Sequence, residues 1–245
     1  MKNRKTIALI WARGNGSSLP RKNVYPILGQ PLISLILQAT RKSNIIDRLY
    51  VFTEDQEIAD ITIKHGWQVI PRPQHMVEYD HPKFNIDEIN RHQNQCILTD
   101  LGAPPGAVQK GQITPYVKGM FHFNCNHCLI TEATIRGMYD KLHQSNATRI
   151  CCASQVDPHL FILHGEDEIP FPIWHEHGLD RRKYPPIYRL YPDTNYILLD
   201  RLHKNHKQIV YKMPQEEALD IHTIEDVKLA EFYLTQRTIQ SGSSK

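Results

Sequence analysis

The sequence predicts an α/β fold of the Rossmann-like type, with a mostly parallel central sheet flanked by helices. Residues 7–11 form an unbroken apolar run, which is typical of a strand buried on both faces of a parallel sheet. A glycine-containing loop, residues 13–18, follows that strand directly. Strand and helix patterns then alternate as β-α-β-α-β as far as residue 70. Because ligands bind at the carboxyl ends of the strands in such sheets, we expect the functional site beside this loop.

Helices are predicted where apolar residues recur with a helical period, and strands where short β-branched or aromatic runs occur. The predicted helices span residues 31–42, 55–65, 84–98, 132–143 and 223–237. The further predicted strands span residues 49–53, 67–70, 117–123, 149–154, 195–199 and 209–213. Residues 102–111 contain Pro104-Pro105 and are predicted as a loop. Thr223 and Asp226 form a T-x-x-D pattern that predicts the start of the last helix.

A chain of 245 residues is long enough to bury one complete core. We therefore expect a single domain over residues 1–240 and a frayed tail over residues 241–245. Residues 157–192 are rich in proline and aromatic side chains and show little periodicity, so they are predicted as an irregular insertion.

Composition argues against several classes of partner. The net charge is +3, and no basic stripe with interleaved aromatic residues indicates nucleic acid. The apolar run after Lys5 is too short for a signal peptide, so we expect a cytoplasmic protein with no membrane partner. Five cysteines, four of them in two close pairs, do not form a disulfide pattern, and we expect reduced thiols.

The loop after the first strand has the chemistry of a phosphate site. Gly14 and Gly16 leave backbone amides open to a ligand, and Arg13, Arg21 and Lys22 add positive charge. A triphosphate suits these groups, although a simple tight turn would also explain the glycines taken alone.

The same segment resembles the opening loop of the acylneuraminate cytidylyltransferases, which make CMP-sialic acid, and of their CMP-Kdo synthetase relatives. That loop reads roughly A-R-G-G-S-K-x-I-P-x-K-N, and the residues in register with it are Ala12, Arg13, Gly14, Leu19, Pro20, Lys22 and Asn23. The resemblance continues through residues 29–33 and 46–59, Arg72-Pro73, Asp80 and residues 219–226. It is strong over residues 5–81 and 216–232 and weak between them.

This resemblance implies a nucleotidyltransferase fold and a CTP-dependent enzyme. The anomeric hydroxyl of a 3-deoxy-2-keto sugar acid, a nonulosonate such as sialic, legionaminic or pseudaminic acid, would attack the α-phosphorus of CTP and release pyrophosphate. It also implies a homodimer, in which residues 157–192 serve as a lid or dimer contact, and a role in making cell-surface polysaccharide. The expected cofactor is a divalent metal, Mg²⁺ in the family.

The resemblance also implies roles for particular residues. The implied catalytic residues are Arg13, Lys22 and Asp220. The implied nucleotide-binding residues are Ala12, Arg13, Gly14, Asn15, Gly16, Ser17, Lys22, Asn23 and Arg72. The implied acceptor-binding residues are Asn124, Asn126, His127 and Arg189. The implied metal ligands are Asp220 and His222.

The sequence departs from the family pattern at three places. Ser17 replaces a lysine, unless Arg21 supplies the missing cation. Residues 124–130 replace the acceptor loop Q-P-T-S-P-L-R with amides, imidazole and thiols. His222 replaces the second aspartate of I-D-I-D, which would favour manganese or another borderline ion over magnesium.

These departures leave alternatives open. The acceptor could be Kdo, a phosphonate or another small phosphorylated molecule, or the chain could be a non-catalytic nucleotide-binding homologue. Cys125 and Cys128 lie near two histidines and are zinc-ligand types, but the second ligand pair of a structural zinc site is missing.

Overall fold

The computed structural model describes residues 4–16, 18–78, 81–156, 161–164, 169–172, 186–202 and 206–242. Its strands are β1 (Lys5–Trp11), β2 (Pro26–Ile27), β3 (Gln30–Pro31), β4 (Arg48–Thr53), β5 (Gln68–Pro71), β6 (Val117–Asn124), β7 (Arg149–Val156), β8 (Phe161–His164), β9 (Ile169–Pro172), β10 (Ile187–Leu198) and β11 (Gln208–Lys212). Its α-helices are α1 (Leu32–Ser43), α2 (Gln56–Lys64), α3 (Ile86–Asp100), α4 (Pro105–Lys110), α5 (Glu132–His143) and α6 (Ile224–Gly242).

Seven strands form the central sheet in the order β11-β7-β10-β6-β1-β4-β5. Every neighbouring pair is parallel except the two that involve β10, which runs antiparallel to β6 and to β7. The predicted mostly parallel α/β sheet is therefore confirmed. From β1 the chain first builds outward through β4 and β5 and then returns to add β6 on the other side. The carboxyl ends of β1 and β6 thus meet at a topological switch point, where such sheets bind ligands.

β1 is buried on both faces, as its apolar run predicts. Ala8 and Ile10 belong to a core with residues of α1, α5 and α6, whereas Ile7 and Leu9 belong to a second core with residues of α3. Helices therefore cover both faces of the sheet at β1.

Each predicted helix begins within two residues of the observed first residue. Capping residues explain several of these starting positions. Asp55 caps α2 by accepting a hydrogen bond from the Ile58 amide at 3.0 Å. At α6, the Thr223 hydroxyl accepts from the Asp226 amide at 3.2 Å, and the Asp226 carboxylate accepts from the Thr223 amide at 2.8 Å. The predicted T-x-x-D cap is confirmed. Residues 241 and 242, predicted as part of a frayed tail, are the last two of α6, and residues 243–245 lie outside the described residues.

The prediction of a loop over residues 102–111 is wrong, because α4 occupies Pro105–Lys110. Pro105 stands in the first turn of this helix, where its missing N–H would have no partner in any case. Gly111 ends the helix with φ of 63°, a left-handed conformation that glycine adopts without strain.

The prediction of an irregular insertion over residues 157–192 is wrong where this segment is described. β8 and β9 form an antiparallel pair, and β10 begins at Ile187. β10 tolerates Pro192 because its register with β7 shifts between Tyr191 and Asn195, and a residue at such a bulge does not have to donate to the ladder. The suggested lid or dimer contact remains a prediction, and much of the segment lies outside the described residues.

Among the described helices, none has the length and apolar character needed to cross a bilayer. All five cysteines are free, and four of them are buried.

Candidate active site

A cavity of about 560 Å³ opens at the carboxyl ends of β1 and β6. It brings together residues from distant parts of the chain that the sequence singled out. The predicted site residues in its lining are Arg13, Gly16, Lys22, Asn23, Arg72, Asn124, Asn126 and His222. Those outside its described lining are Ala12, Gly14, Asn15, His127, Arg189 and Asp220. Ser17 lies outside the described residues.

The loop after β1 is held by two acidic residues that follow β4. The Gly14 amide donates to Glu54 Oε1 at 2.7 Å, so this predicted phosphate donor already has a carboxylate partner. A Cβ atom on Gly14 would lie 2.5 Å from Asp55 Oδ2, so a larger residue at this position would have to displace the Asp55 side chain. Ala12 is fully buried and donates its amide to the Phe52 carbonyl at 3.1 Å, whereas Asn15 is exposed.

Lys22 is the most unusual charged residue of the site. Only 8% of the residue is exposed, and its side chain lines the cavity. Within the described residues, no hydrogen bond or ion pair holds its ammonium group. Burial lowers the pKa of Lys22, and the negative charge of Asp220 opposes that shift. A desolvated cation without a partner favours an anionic ligand in this cavity.

Arg13 and Asn23 are linked through the loop backbone. Arg13 Nη1 lies 2.9 Å from Glu78 Oε2, and Asn23 Nδ2 donates to the Arg13 carbonyl at 2.8 Å. The hydrogen bond from Asn23 fixes the loop backbone at Arg13. The Arg13 side chain is paired with Glu78, which is partly exposed and which a bound phosphate would have to displace.

Arg21 does not supply the positive charge that is lost where Ser17 stands in place of the family's lysine. Its guanidinium bonds Asp55 and also lies 2.5 Å from Glu57 Oε2, and it is absent from the described cavity lining. These hydrogen bonds, first to Asp55 and then to Glu57, raise the pKa of Arg21. Arg21 therefore stabilises the loop through ion pairs that lie outside the described cavity lining.

Arg72 forms part of the cavity wall. It is buried, and its Nε and Nη2 atoms donate to the Met76 carbonyl at 2.8 and 2.6 Å. Its guanidinium carbon lies 5.5 Å from the Trp11 ring centroid and 5.2 Å from that of Phe52. These contacts hold Arg72 in one orientation.

The predicted acceptor loop after β6 presents amides to the cavity. Asn124 Nδ2 donates to Asp193 Oδ2 at 2.5 Å, and Asn124 Oδ1 accepts from the Asn126 amide at 3.0 Å. His127 instead turns into the protein, where its Nδ1 lies 3.1 Å from Thr194 Oγ1. Burial lowers the pKa of His127. Arg189, whose side chain is 61% exposed, lies outside the described lining.

Asp220 and His222 lie together beside the cavity. His222 Nε2 is 2.9 Å from Asp220 Oδ1, and His222 Nδ1 is 3.2 Å from Ser18 Oγ. The two side chains share one side of an extended segment because the intervening Ile221 is fully buried on the other side. No group of three His, Cys, Asp or Glu side chains suited to a metal occurs in the described parts of the chain. Asp220 nonetheless fits the way Mg²⁺ is often held, by one or two carboxylates together with substrate phosphates.

The zinc interpretation of residues 122–128 finds no support, because the described parts of the chain hold no group of three His, Cys, Asp or Glu side chains suited to a metal. Cys125 and Cys128 are both buried, and burial raises the pKa of each thiol to about 12.

Besides hydrophobic and aromatic side chains, the lining contains four residues that were not predicted: His122, Arg149, Asp193 and Asn195. His122 could have been found, because it precedes Asn124 by two residues and therefore shares its sheet face. The others depend on β10, which lies antiparallel between β6 and β7 and contributes Asp193 and Asn195 to the cavity lining at its register shift.

Comparison with known proteins gives a family match over the first third of the chain. Residues 7–86 match the family model described as cytidylyltransferase. The predicted relationship to the cytidylyltransferases is confirmed. The matched segment contains β1, the Arg13–Lys22 loop and Arg72.

Three relatives show how the similarity is distributed. The chain is 37% identical to a pseudaminic acid cytidylyltransferase of Campylobacter jejuni over 25% of its own length and 27% of that protein's. It is 29% identical to N-acylneuraminate cytidylyltransferase A of Danio rerio, over 48% of this chain and 28% of the relative. It is 22% identical to a 3-deoxy-manno-octulosonate cytidylyltransferase of Synechococcus elongatus, over 95% of this chain and 99% of the relative. The chain thus spans less than a third of the length of the first two relatives.

Two solved structures share the fold. A CMP:2-keto-3-deoxy-manno-octonic acid synthetase in complex with CTP superposes with a TM-score of 0.58 at 11% identity, covering 95% of this chain and 99% of that one. A 4-diphosphocytidyl-2C-methyl-D-erythritol synthase superposes with a TM-score of 0.61 at 12% identity, covering 96% and 100%. The predicted nucleotidyltransferase fold is therefore confirmed.

Proposed function

We propose that this protein transfers CMP from CTP to a 3-deoxy-2-keto sugar acid and releases pyrophosphate. The observation that carries the proposal is the buried Lys22 ammonium, which faces the cavity without a described partner. It lies in the segment that matches the cytidylyltransferase family. Relatives named for pseudaminic acid, N-acylneuraminate and 3-deoxy-manno-octulosonate support an acidic sugar as the acceptor.

The charge of the cavity supports two anionic substrates. Its described lining contains the cations Arg13, Lys22, Arg72 and Arg149 but Asp193 as its one carboxylate. Such an excess of positive charge in a partly closed space attracts polyanions. A triphosphate and a sugar carboxylate together match that excess.

The reaction requires positioning and charge stabilisation more than covalent chemistry from the protein. The acceptor hydroxyl attacks the α-phosphorus, the bond to the pyrophosphate oxygen breaks, and the hydroxyl proton leaves to solvent or base. Lys22 and Arg13 stabilise the charge that builds up on the phosphate oxygens. Asn23 holds the loop through the Arg13 carbonyl, and Asn124 and Asn126 orient the acceptor.

Asp220 is the residue we assign to a divalent metal, with His222 as its neighbour. When bound, a metal ion would neutralise phosphate charge and favour departure of pyrophosphate. Asp220 fits this role because its side chain is only 21% exposed and its negative charge acts on the Lys22 ammonium, which faces the cavity.

The test is a screen of pyrophosphate release. Purified protein is incubated with CTP, UTP, ATP or GTP and with pseudaminic acid, N,N'-diacetyllegionaminic acid, N-acetylneuraminic acid or 3-deoxy-manno-octulosonate, with Mg²⁺ or Mn²⁺. Release should require CTP and one of these acids. A parallel set of reactions replaces the sugar acids with phosphonates and phosphorylated small molecules, and release only in that set would assign the alternative acceptor class. CTP binding without release under any condition would instead favour a non-catalytic homologue.

We also propose that the protein is a homodimer whose contact includes residues 157–192 and that its product serves cell-surface polysaccharide synthesis. Sedimentation velocity of the whole chain tests the first part, since a monomer at micromolar concentration would contradict it.

A further inference from the structure

A row of polar side chains crosses the sheet face that forms the floor of the cavity. Leu9 of β1 stands opposite His122 of β6, and His122 stands opposite Asn195 of β10. Directly paired residues point to the same face of a sheet. Arg149 of the next strand, β7, reaches the same cavity. The floor therefore changes from apolar at β1 to polar and charged at β10 and β7.

Hydrogen bonds fix the orientation of these groups. Asn195 Nδ2 and Arg149 Nη2 both donate to the Pro192 carbonyl, each at 2.7 Å. The amide oxygen of Asn195 therefore faces His122, whose Nδ1 lies 3.4 Å away. This arrangement places the proton of a neutral His122 on Nδ1 and leaves Nε2 as a hydrogen-bond acceptor.

Burial lowers the pKa of His122, and the positive charge of Arg149 lowers it further, whereas the hydrogen bond that His122 donates to Asn195 Oδ1 raises it. The imidazole is therefore neutral near pH 7, and its Nε2 can accept a hydrogen bond from a ligand hydroxyl. No described residue makes a hydrogen bond with that atom.

Arg149 supplies charge that no described residue neutralises. A guanidinium has five N–H donors, and the hydrogen bond from Arg149 to the Pro192 carbonyl uses one of them. Its Nε atom is buried and makes no hydrogen bond within the part of the chain that the structure describes. No described carboxylate forms an ion pair with Arg149. Asp193, the carboxylate in the cavity lining, accepts a hydrogen bond from Asn124. An incompletely bonded cation in a cavity indicates a missing anion.

We propose that Arg149, His122 and Asn195 form a second anion subsite, which binds the carboxylate of the sugar-acid acceptor apart from the phosphate subsite of Arg13 and Lys22. This inference rests on the proposed function. Arginine pairs with carboxylates through parallel N–H donors, and His122 Nε2 accepts a hydroxyl of the same acceptor. Asn195 holds the imidazole in the required tautomer. The subsite would therefore select acids over neutral sugars.

A competing explanation is that Arg149 only ties the β10 bulge to β7 through the Pro192 carbonyl. The two explanations differ in what removal of the charge does to acidic and neutral acceptors. A structural role predicts equal losses with both, whereas a carboxylate subsite predicts a loss confined to the acid.

The experiment is a two-by-two comparison of wild type and Arg149→Met with the most active acid of the screen and its methyl ester. We expect the wild-type kcat/KM to favour the acid at least tenfold. Arg149→Met should lower kcat/KM for the acid at least tenfold, change that for the ester less than twofold and leave the KM for CTP unchanged. Equal losses with acid and ester, or a parallel rise in the KM for CTP, would overturn the subsite.

Controls separate this inference from the proposed function. Arg136→Met removes another arginine that bonds backbone carbonyls, those of Lys42 and Ser43, and should change neither acceptor. If Arg149→Met does not fold, Arg149→Lys should lower kcat/KM three- to tenfold for the acid and leave that for the ester unchanged.

If wild type releases no pyrophosphate, the proposed function fails. Calorimetric titration of the CTP-bound protein with the four acids then tests the subsite on its own. Binding that Arg149→Met abolishes supports the subsite, and no binding by wild type overturns it.

Discussion

The Asp220 carboxylate favours the charged form of the buried Lys22 ammonium across the candidate site. Burial alone would drive this lysine toward its neutral form, and it is the larger of the two effects. The lysine comes from the loop after β1 and the carboxylate from the segment before α6, so the fold joins the ends of the chain at the site. A bound triphosphate would act on Lys22 in the same direction as Asp220.

Lys22→Ala should lower pyrophosphate release at least tenfold, which corresponds to about 1.4 kcal/mol or more of transition-state stabilisation. The physical reason is that the variant removes a desolvated cation beside the phosphates. Initial rates at varied CTP measure the change, and the exposed Lys64→Ala is the matched control. A folded Lys22→Ala protein with the wild-type rate would remove the phosphate assignment of this loop.

Arg13→Ala should also lower the rate at least tenfold, because the proposed role of Arg13 is to stabilise phosphate charge. Glu78→Gln should instead lower the KM for CTP, because it removes the carboxylate that lies 2.9 Å from the Arg13 guanidinium. Steady-state kinetics of both variants make the comparison. Equal losses in the two would show that the Arg13–Glu78 pair only supports the loop.

Gly14→Ala should destabilise the protein by about 1–3 kcal/mol, the usual cost of inserting a methyl group where there is no room. The new Cβ would lie 2.5 Å from Asp55 Oδ2, and Asp55 is held in place by Arg21 and by its cap of α2. Urea unfolding measures the effect. Gly106→Ala is the control, because the structure shows open space around Gly106 in α4, and it should be neutral or slightly stabilising. Equal stability of the two variants would contradict the close packing of the loop.

Local sequence patterns predicted the first half of the fold because its strands and helices alternate in chain order. The apolar run of β1 and the cap at Thr223 are examples in which a few neighbouring residues decide the structure. β10 was missed in part because Pro192 interrupts its pattern, and only pairing with β7 shows that the strand continues past the bulge. Asn195 and Arg149 could not be predicted as site residues for the same reason. Their position depends on contacts between distant segments, which no local pattern contains. The orientation of the Arg21 side chain likewise depends on residues distant in sequence, Asp55 and Glu57.

The metal dependence of turnover tests the pair Asp220 and His222. We expect chelation to abolish activity and re-added Mn²⁺ to restore it better than Mg²⁺, because an imidazole beside one carboxylate suits a borderline ion. His222→Asp should shift the preference toward Mg²⁺, since it replaces the nitrogen ligand with oxygen. Asp226→Asn is an informative comparison, because Asp226 accepts bonds from the His222 and Thr223 amides and so supports the segment rather than a metal. It should lower thermal stability and leave the order of metals unchanged. The same order of metals in wild type and His222→Asp would exclude His222 as a ligand, and full activity with chelator present would exclude the metal from the reaction.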